Sequence, residues 1–341
     1  MITAAEGSNI APLLELKAVS KRFVSKRDLA ARIAGLFARG GREEFVQAVD
    51  GVDLDIAEGE VVGLAGESGC GKSTLGRLAV GLLAPTAGER FWRGERCADA
   101  GGAATRARQL KMQMLVQDSY AALNPRLRVI DIVGEAPVAH GLIGSRQQIE
   151  YVGLQLNRVG LDPTLMRRFA HQFSDGQRTR IGIARALAVK PELLVCDDPV
   201  ASLDLSVQAQ VLNLFMDLRA ALDLSYLFIS YDLQVVCHLS DRVLIMYLGR
   251  IVESGPADEL AATPNHPYTQ ALLAASGTLG ARKLAAIPVK GEMPSPRSPP
   301  AGCQFHPRCP YVMPRCQEAA PPLEAIAPGR LAACYLNKSV A

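Results

Sequence analysis

Short apolar runs alternate along this chain with longer stretches in which apolar positions recur every third or fourth residue. The runs Glu60–Ala65, Leu193–Asp197, Tyr226–Ser230 and Arg242–Tyr247 have strand length, and Gly71–Leu83, Asp175–Val189 and Ser206–Ala221 carry the helical period. Such alternation predicts an α/β domain on a parallel sheet, because parallel neighbours need a crossover connection and a helix supplies it. Near Gly255 the pattern changes. The C-terminal remainder is rich in proline and small residues, and Pro288, Pro294, Pro296, Pro299 and Pro300 predict an extended linker into a tail.

At 341 residues and 49% hydrophobic the chain can bury a sizeable core. Its net charge of +3 supplies no general field for nucleic acid or anionic lipid, so no nucleic-acid partner is expected. The longest apolar runs, such as Leu78–Ala84 and Val243–Leu248, fall well short of the roughly 20 residues that cross a bilayer. The N-terminus, MITAAEGSNIAPLLEL, lacks a basic region followed by an apolar one, so a reducing cytosol is expected. One local run departs from charge balance. Lys21, Arg22, Lys26, Arg27, Arg32, Arg39 and Arg42 face a single acid, Asp28, and read as a solvated segment, with membrane headgroups as the alternative contact.

The most specific chemistry comes directly after the first strand. Gly66-Glu-Ser-Gly-Cys-Gly-Lys-Ser-Thr74 matches GxxxxGK[ST] between a predicted strand and a predicted helix, the setting in which such a loop wraps phosphates. Gly66, Gly69 and Gly71 let backbone N–H groups converge on a phosphate at a helix N-terminus, and Lys72 places a charge between two phosphates. Ser73 offers a hydroxyl to Mg²⁺, and Thr74 can add a phosphate contact. Downstream, Leu193-Leu-Val-Cys-Asp-Asp198 is an apolar strand that delivers two carboxylates, with Asp197 on the metal side.

Three further segments lie around these: Met114-Leu-Val-Gln-Asp-Ser-Tyr-Ala-Ala-Leu-Asn-Pro-Arg126, Phe173-Ser-Asp-Gly-Gln-Arg-Thr-Arg180 and Asp198-Pro-Val-Ala-Ser-Leu-Asp204. In that order they resemble the Q-loop, signature and D-loop of the ATP-binding cassette (ABC) transporter ATPases. LNPR after the Q-loop, LSVQAQVLNLF at Leu205–Phe215 and NHPYTQALLAA at Asn265–Ala275 bring the chain closer to the oligopeptide, dipeptide and nickel importer branch. The resemblance runs from about Leu13 to Leu336. It implies a P-loop NTPase (RecA-like) core with a parallel sheet, an N-terminal antiparallel β subdomain, an α-helical signature subdomain at about 118–190 and a C-terminal cysteine-bearing extension. The ATPase domain would then cover 13–255 and the extension 256–341. It also implies that ATP and Mg²⁺ are bound by Phe23, stacking on adenine, and by Gly66, Glu67, Ser68, Gly69, Cys70, Gly71, Lys72, Ser73 and Thr74. Gln117 would join Ser73 and Asp197 at the metal, Asp198 would be the base and Tyr231 the switch. Ser174, Asp175, Gly176 and Gln177 would face the ATP of a second chain, with Asp204 in the D-loop.

Three positions depart from the family's pattern. Asp198 replaces a Glu and is one methylene shorter, enough to take a general base out of reach. Tyr231 replaces a His, and a phenol cannot reproduce an imidazole's paired donor and acceptor. Asp175 replaces the signature's first Gly and brings a carboxylate toward a phosphate. The first two predict impaired hydrolysis at this chain's own site, and ordinary turnover with all three tolerated is the alternative.

Eight cysteines in a reducing compartment need a role other than disulfides. Cys303, Cys309, Cys316 and Cys334 are spaced C-x₅-C-x₆-C-x₁₇-C in a segment with little core of its own, which suggests a metal staple. The family resemblance implies a 4Fe-4S cluster; zinc and free thiols stay open, and His306 is expected at the surface. The whole implies the ATP-binding subunit of a peptide importer, peripheral at the cytoplasmic face of the bacterial inner membrane. Its implied partners are a second, non-identical ATPase, two transmembrane permeases and a periplasmic or lipid-anchored solute-binding protein. A nucleotide-clamping half without turnover, or an importer of nickel, opines or sugars, is the alternative.

Overall fold

The computed structural model describes residues 11–24, 45–97, 103–117, 122–275 and 291–339. Most of the basic run, residues 118–121 of the Q-loop segment and Pro288 lie outside them. The strands are β1 (Leu14–Val24), β2 (Phe45–Ile56), β3 (Val61–Ala65), β4 (Ala87–Trp92), β5 (Glu95–Arg96), β6 (Met112–Leu115), β7 (Leu193–Asp197), β8 (Ser225–Ser230), β9 (Arg242–Tyr247), β10 (Arg250–Pro256), β11 (Glu324–Ala327) and β12 (Arg330–Ala332). The helices are α1 (Lys72–Val80), α2 (Ala103–Lys111), α3 (Val129–Ala139), α4 (Gln148–Arg158), α5 (Asp175–Leu187), α6 (Leu205–Leu222), α7 (Leu233–Leu239), α8 (Ala257–Ala262), α9 (Pro267–Ala275) and α10 (Pro314–Glu318).

The central sheet has the order β11-β12-β10-β9-β3-β8-β7-β6, and from β9 to β6 every pairing is parallel. β3, β7 and β8 are buried at every residue, which is why they read as uninterrupted apolar runs rather than alternating ones. Their side chains still alternate between faces. Val61, Leu194, Cys196 and Phe228 enter a core shared with α3 to α7, whereas Val62, Leu64, Val195 and Ile229 enter a second core with α1 and the antiparallel sheet. That second sheet, in the order β2-β1-β4-β5, is the antiparallel subdomain expected at the N-terminal side. The helices α3, α4 and α5 form the helical unit.

The composition change near Gly255 is not a change in packing. β12 pairs with β10 through Glu253 opposite Ala332 and Ser254 opposite Leu331, so the tail lengthens the central sheet by two strands. Phe305 is buried in the larger core, its ring 5.3 Å from that of Tyr247 on β9 and 5.4 Å from that of Tyr268 on α9. Glu253, wholly buried, accepts the N–H groups of Asn265 and His266, each at 2.8 Å, and pairs with Arg330 at 3.4 Å. A buried carboxylate needs that many donors.

Phe305→Ala is expected to lower stability by about 3–5 kcal/mol, with the tail and main domain unfolding in one transition. Two separated transitions in a denaturant titration followed by fluorescence and circular dichroism would show instead that the tail folds alone.

Candidate functional site

The loop between β3 and α1 is held by backbone on two sides. Gly66 has φ +155 and Gly71 φ +114; a Cβ at Gly66 would stand 2.3 Å from the Met246 carbonyl oxygen, and one at Gly71 would stand 2.1 Å from that of Ala48. No other residue fits either place. The Gly249 N–H donates to the Cys70 carbonyl at 2.7 Å and closes the third side. Cys70 is buried beneath the loop, and burial pushes its thiol up. Ser68 and Gly69 form the exposed tip.

Lys72, the first residue of α1, is buried and donates to the Gly66 carbonyl at 2.7 Å and to the Glu67 carbonyl at 2.8 Å. The Ser73 hydroxyl donates to Asp197 Oδ1 at 2.8 Å, so the end of β7 and the start of α1 meet through the two groups expected at a metal. Burial raises the Asp197 carboxyl, while the Ser73 hydrogen bond and the charges of Arg77 and Lys72 hold it down. Buried oxygen donors of this kind suit a hard cation such as Mg²⁺. Thr74 is half-buried on the same turn.

Asp198 has a left-handed backbone, φ +52, with its N–H bonded to the Ile229 carbonyl at 2.8 Å. Its Oδ1 accepts the Ser230 hydroxyl at 2.9 Å. Burial raises its carboxyl, against the lowering influences of Ser230 and Lys72. Tyr231, next in the chain after Ser230, is exposed. Gln117, exposed two residues beyond β6, makes no hydrogen bond to Ser73 or Asp197 among the described residues. Phe23 is exposed near the end of β1, paired in register with Val46 and carrying the Lys21 ammonium 5.5 Å above its ring.

Ser174 is the N-cap of α5. Its hydroxyl accepts the Gln177 N–H at 3.4 Å, and its own N–H donates to Gln177 Oε1 at 3.1 Å, a reciprocal cap. Asp175 is exposed and paired with Arg178 at 2.7 Å, and Gly176 packs on Val207. Asp204 caps α6, accepting the Val207 N–H at 3.0 Å and the Ser206 hydroxyl at 2.8 Å, which lower its carboxyl. Signature and D-loop therefore occupy adjoining helix starts.

Cys303, Cys309, Cys316 and Cys334 line one pocket, together with Phe305 and His306. Burial pushes the Cys303 thiol up to about 11 and raises those of Cys309 and Cys334. Among the described residues no group of three or more His, Cys, Asp or Glu is arranged to hold a metal ion. The ring of His306 is half-buried against that pocket, with Nδ1 2.9 Å from the Cys303 carbonyl. Sequence reasoning missed two contacts to the phosphate loop. The Glu67 N–H donates to the Tyr268 hydroxyl at 2.8 Å, and Arg308 Nη1 donates to Glu67 Oε2 at 3.0 Å. Tyr268 was visible only as part of the NHPYTQ segment.

Residues 49–201 match the family described as ABC transporter, and residues 252–316 that described as Oligopeptide/dipeptide transporter, C-terminal region. The chain is 44% identical over 333 residues to the oligopeptide transport ATP-binding protein AppF of Bacillus subtilis (strain 168), a match covering 96% of this chain and 98% of that protein. It is 42% identical over 325 residues to the dipeptide transport ATP-binding protein DppF of Haemophilus influenzae, covering 95% and 96%. The structure of cbiO1 from Clostridium perfringens, part of the ABC transporter complex cbiONQ, superposes with TM-score 0.60 at 22% identity, over 73% of this chain and 90% of that one. The ATP-binding cassette MJ0796, a dimer bound to ADP and Pi, superposes with TM-score 0.60 at 24% identity, over 72% and 98%. These two share the fold.

Lys72→Ala is expected to abolish tight ATP binding, because among the described residues no other ammonium bonds to the inside of the loop. Calorimetry showing unchanged nucleotide affinity would remove the assignment.

Proposed function

The chain belongs to the ABC transporter family, in its oligopeptide and dipeptide ATP-binding branch, and from that premise we propose that it is the ATP-binding subunit of an importer that takes up peptides. The Ser73–Asp197 contact carries the reading, since it joins the phosphate loop to the acid-ended strand. In this reading Lys72 leaves the carbonyls of Gly66 and Glu67 for the β- and γ-phosphates, and Phe23 stacks on adenine. Ser73, Asp197 and Gln117 would hold Mg²⁺, which would supply charge neutralisation at the phosphates. Ser174 and the Gly176 N–H, at the positive end of α5, receive the γ-phosphate of ATP on a second, non-identical ATPase chain. Two such chains close on ATP and reopen after hydrolysis and phosphate release, moving two transmembrane permeases through the Q-loop. A solute-binding protein delivers the peptide. No described helix is long and apolar enough to cross a membrane, and in this reading the chain attaches peripherally to the permeases at the cytoplasmic face of the inner membrane.

The site on this chain's own phosphate loop reads as impaired. The Asp198 carboxylate is drawn to Ser230 at 2.9 Å on a side chain shorter than Glu, and Tyr231 supplies a phenol where an imidazole would exchange a proton. Loss of one aligned transition-state contact costs roughly 2.7–4 kcal/mol. This supports ATP retained here and turned over at the partner's loop.

The four tail thiols read as ligands of a 4Fe-4S cluster. Their lining of one pocket supports this, since all four thiolates that such a cluster takes converge there.

Replacing the partner's catalytic carboxylate by its amide should stop transport almost completely, whereas Asp198→Asn should reduce it modestly. Equal loss in the assembled complex, with ATP binding intact, would make Asp198 a working base. Anaerobically purified protein should be brown with about four irons per chain. Ser at Cys303, Cys309, Cys316 or Cys334 should each remove the colour; stoichiometric zinc without iron would assign the pocket to zinc.

A further inference from the structure

Arg308 stands in the turn between Cys303 and Cys309, far along the chain from the phosphate loop, yet it is buried against that loop. Its place is fixed from the cysteine side by backbone: the Cys303 N–H donates to the Cys316 carbonyl at 2.8 Å, His306 to Cys303 at 2.9 Å, Arg308 to Phe305 at 3.0 Å and Cys309 to His306 at 3.3 Å. From the other side, Nη1 donates to Glu67 Oε2 at 3.0 Å and to the Tyr247 hydroxyl at 3.4 Å. Tyr247 is the neighbour of Met246, whose carbonyl confines Gly66, and Tyr268 holds the Glu67 N–H at 2.8 Å. Met293 lies beside Gly69. Tail residues thus touch the loop at both Glu67 and Gly69.

This arrangement is poorly suited to stability alone. Arg308 Nε is buried with no hydrogen-bond partner among the described residues, so the half-buried pair with Glu67 only partly repays the desolvation of the guanidinium. It is well suited to electrostatics. Glu67 puts a carboxylate one residue into a loop that must receive a polyanion, and a guanidinium 3.0 Å away cancels that charge.

We propose that Arg308 is a positioning residue for ATP: it neutralises and holds Glu67, and so couples the folded state of the cysteine-bearing segment to nucleotide affinity at the phosphate loop. The inference rests on the loop being the ATP site and adds to it a control from the tail. Unfolding of the turn, or loss of whatever ties its thiols together, frees the Glu67 carboxylate toward the phosphates and loosens the loop. By linkage, bound MgATP steadies the turn by the same factor.

The test is a double-mutant cycle on the full-length chain, read as MgATP affinity by calorimetry. Arg308→Met is expected to weaken binding about tenfold or more in the wild-type background. In a Glu67→Gln background, where there is no carboxylate to cancel, the same change should cost less than about twofold. Rescue of this kind separates charge cancellation from a packing defect. Arg308→Lys, which keeps the charge and loses the fork, should fall between and serves if the Met variant does not fold. In wild-type protein MgATP should slow amide hydrogen exchange across residues 303–309, and Arg308→Met should remove that protection. Equal losses on both backgrounds, or no loss on either, would overturn the proposal. If Lys72→Ala still abolishes binding in that event, the ATP-site reading stands and the clamp alone is wrong.

Discussion

The structure turns on how little room the phosphate loop has. Gly66 is pressed on the Met246 carbonyl at the end of β9, Gly71 on the Ala48 carbonyl of β2, and Gly249 donates to Cys70. The loop is therefore moulded by both sheets at once, and its shape is a property of their packing. Phosphate binding by backbone N–H groups requires this, because dipoles that had to reorganise on binding would lose much of their effect. Once the loop is fixed, Ser73 falls beside Asp197, and the parallel register of β3, β8 and β7 brings Asp198 beside Ser230.

Seen from the loop, the tail is a further wall rather than an appendage. Phe305, Tyr247 and Tyr268 form an aromatic cluster with ring separations of 4.7 to 5.4 Å, and the two tyrosine hydroxyls and Arg308 turn toward the loop from its edge. The apolar part of that cluster secures the attachment, and the polar rim connects it to Glu67. A segment with few apolar residues can be held in this way because one large buried ring removes more surface from water than several small side chains.

Much of this was legible in the sequence. Strands β3, β7, β8 and β9 lie within a residue of the expected apolar runs, and α5 and α6 within two residues of the expected periods, because central parallel strands and amphipathic helices impose their period on the sequence. The antiparallel strands were expected only through family resemblance. β1 twists through register shifts at Leu16, Val19 and Lys21, which blur a period-two pattern. β11 and β12 have four and three residues, too short for any period. The place of the phosphate loop between β3 and α1 and of Asp197 at the end of β7 was readable from spacing, whereas the contacts of Ser230, Tyr268 and Arg308 were not. Their contribution comes from tertiary contacts across 32, 201 and 241 residues, and such pairing leaves no mark on local sequence.

The three departures from the family's pattern are not equivalent in their surroundings, and the difference bears on which half-site tolerates its change. Asp175 is exposed and its carboxylate is paired with Arg178 at 2.7 Å, three residues along the same helix. An exposed pair of this kind adds little stability, but it directs the carboxylate along α5 and offsets its charge where a phosphate would approach. Ser174 keeps its cap and Gly176 its N–H, so the signature retains the dipole that attracts an anion. Asp198 is half of a crowded acidic pair whose burial outweighs the relief that Ser230 and Lys72 give. It lies beside Asp197, with Asp232 also adding negative potential, and one of its two carboxylate oxygens is already bonded to Ser230. The surroundings thus mute the added charge in the signature more fully than they mute the charge at the acid.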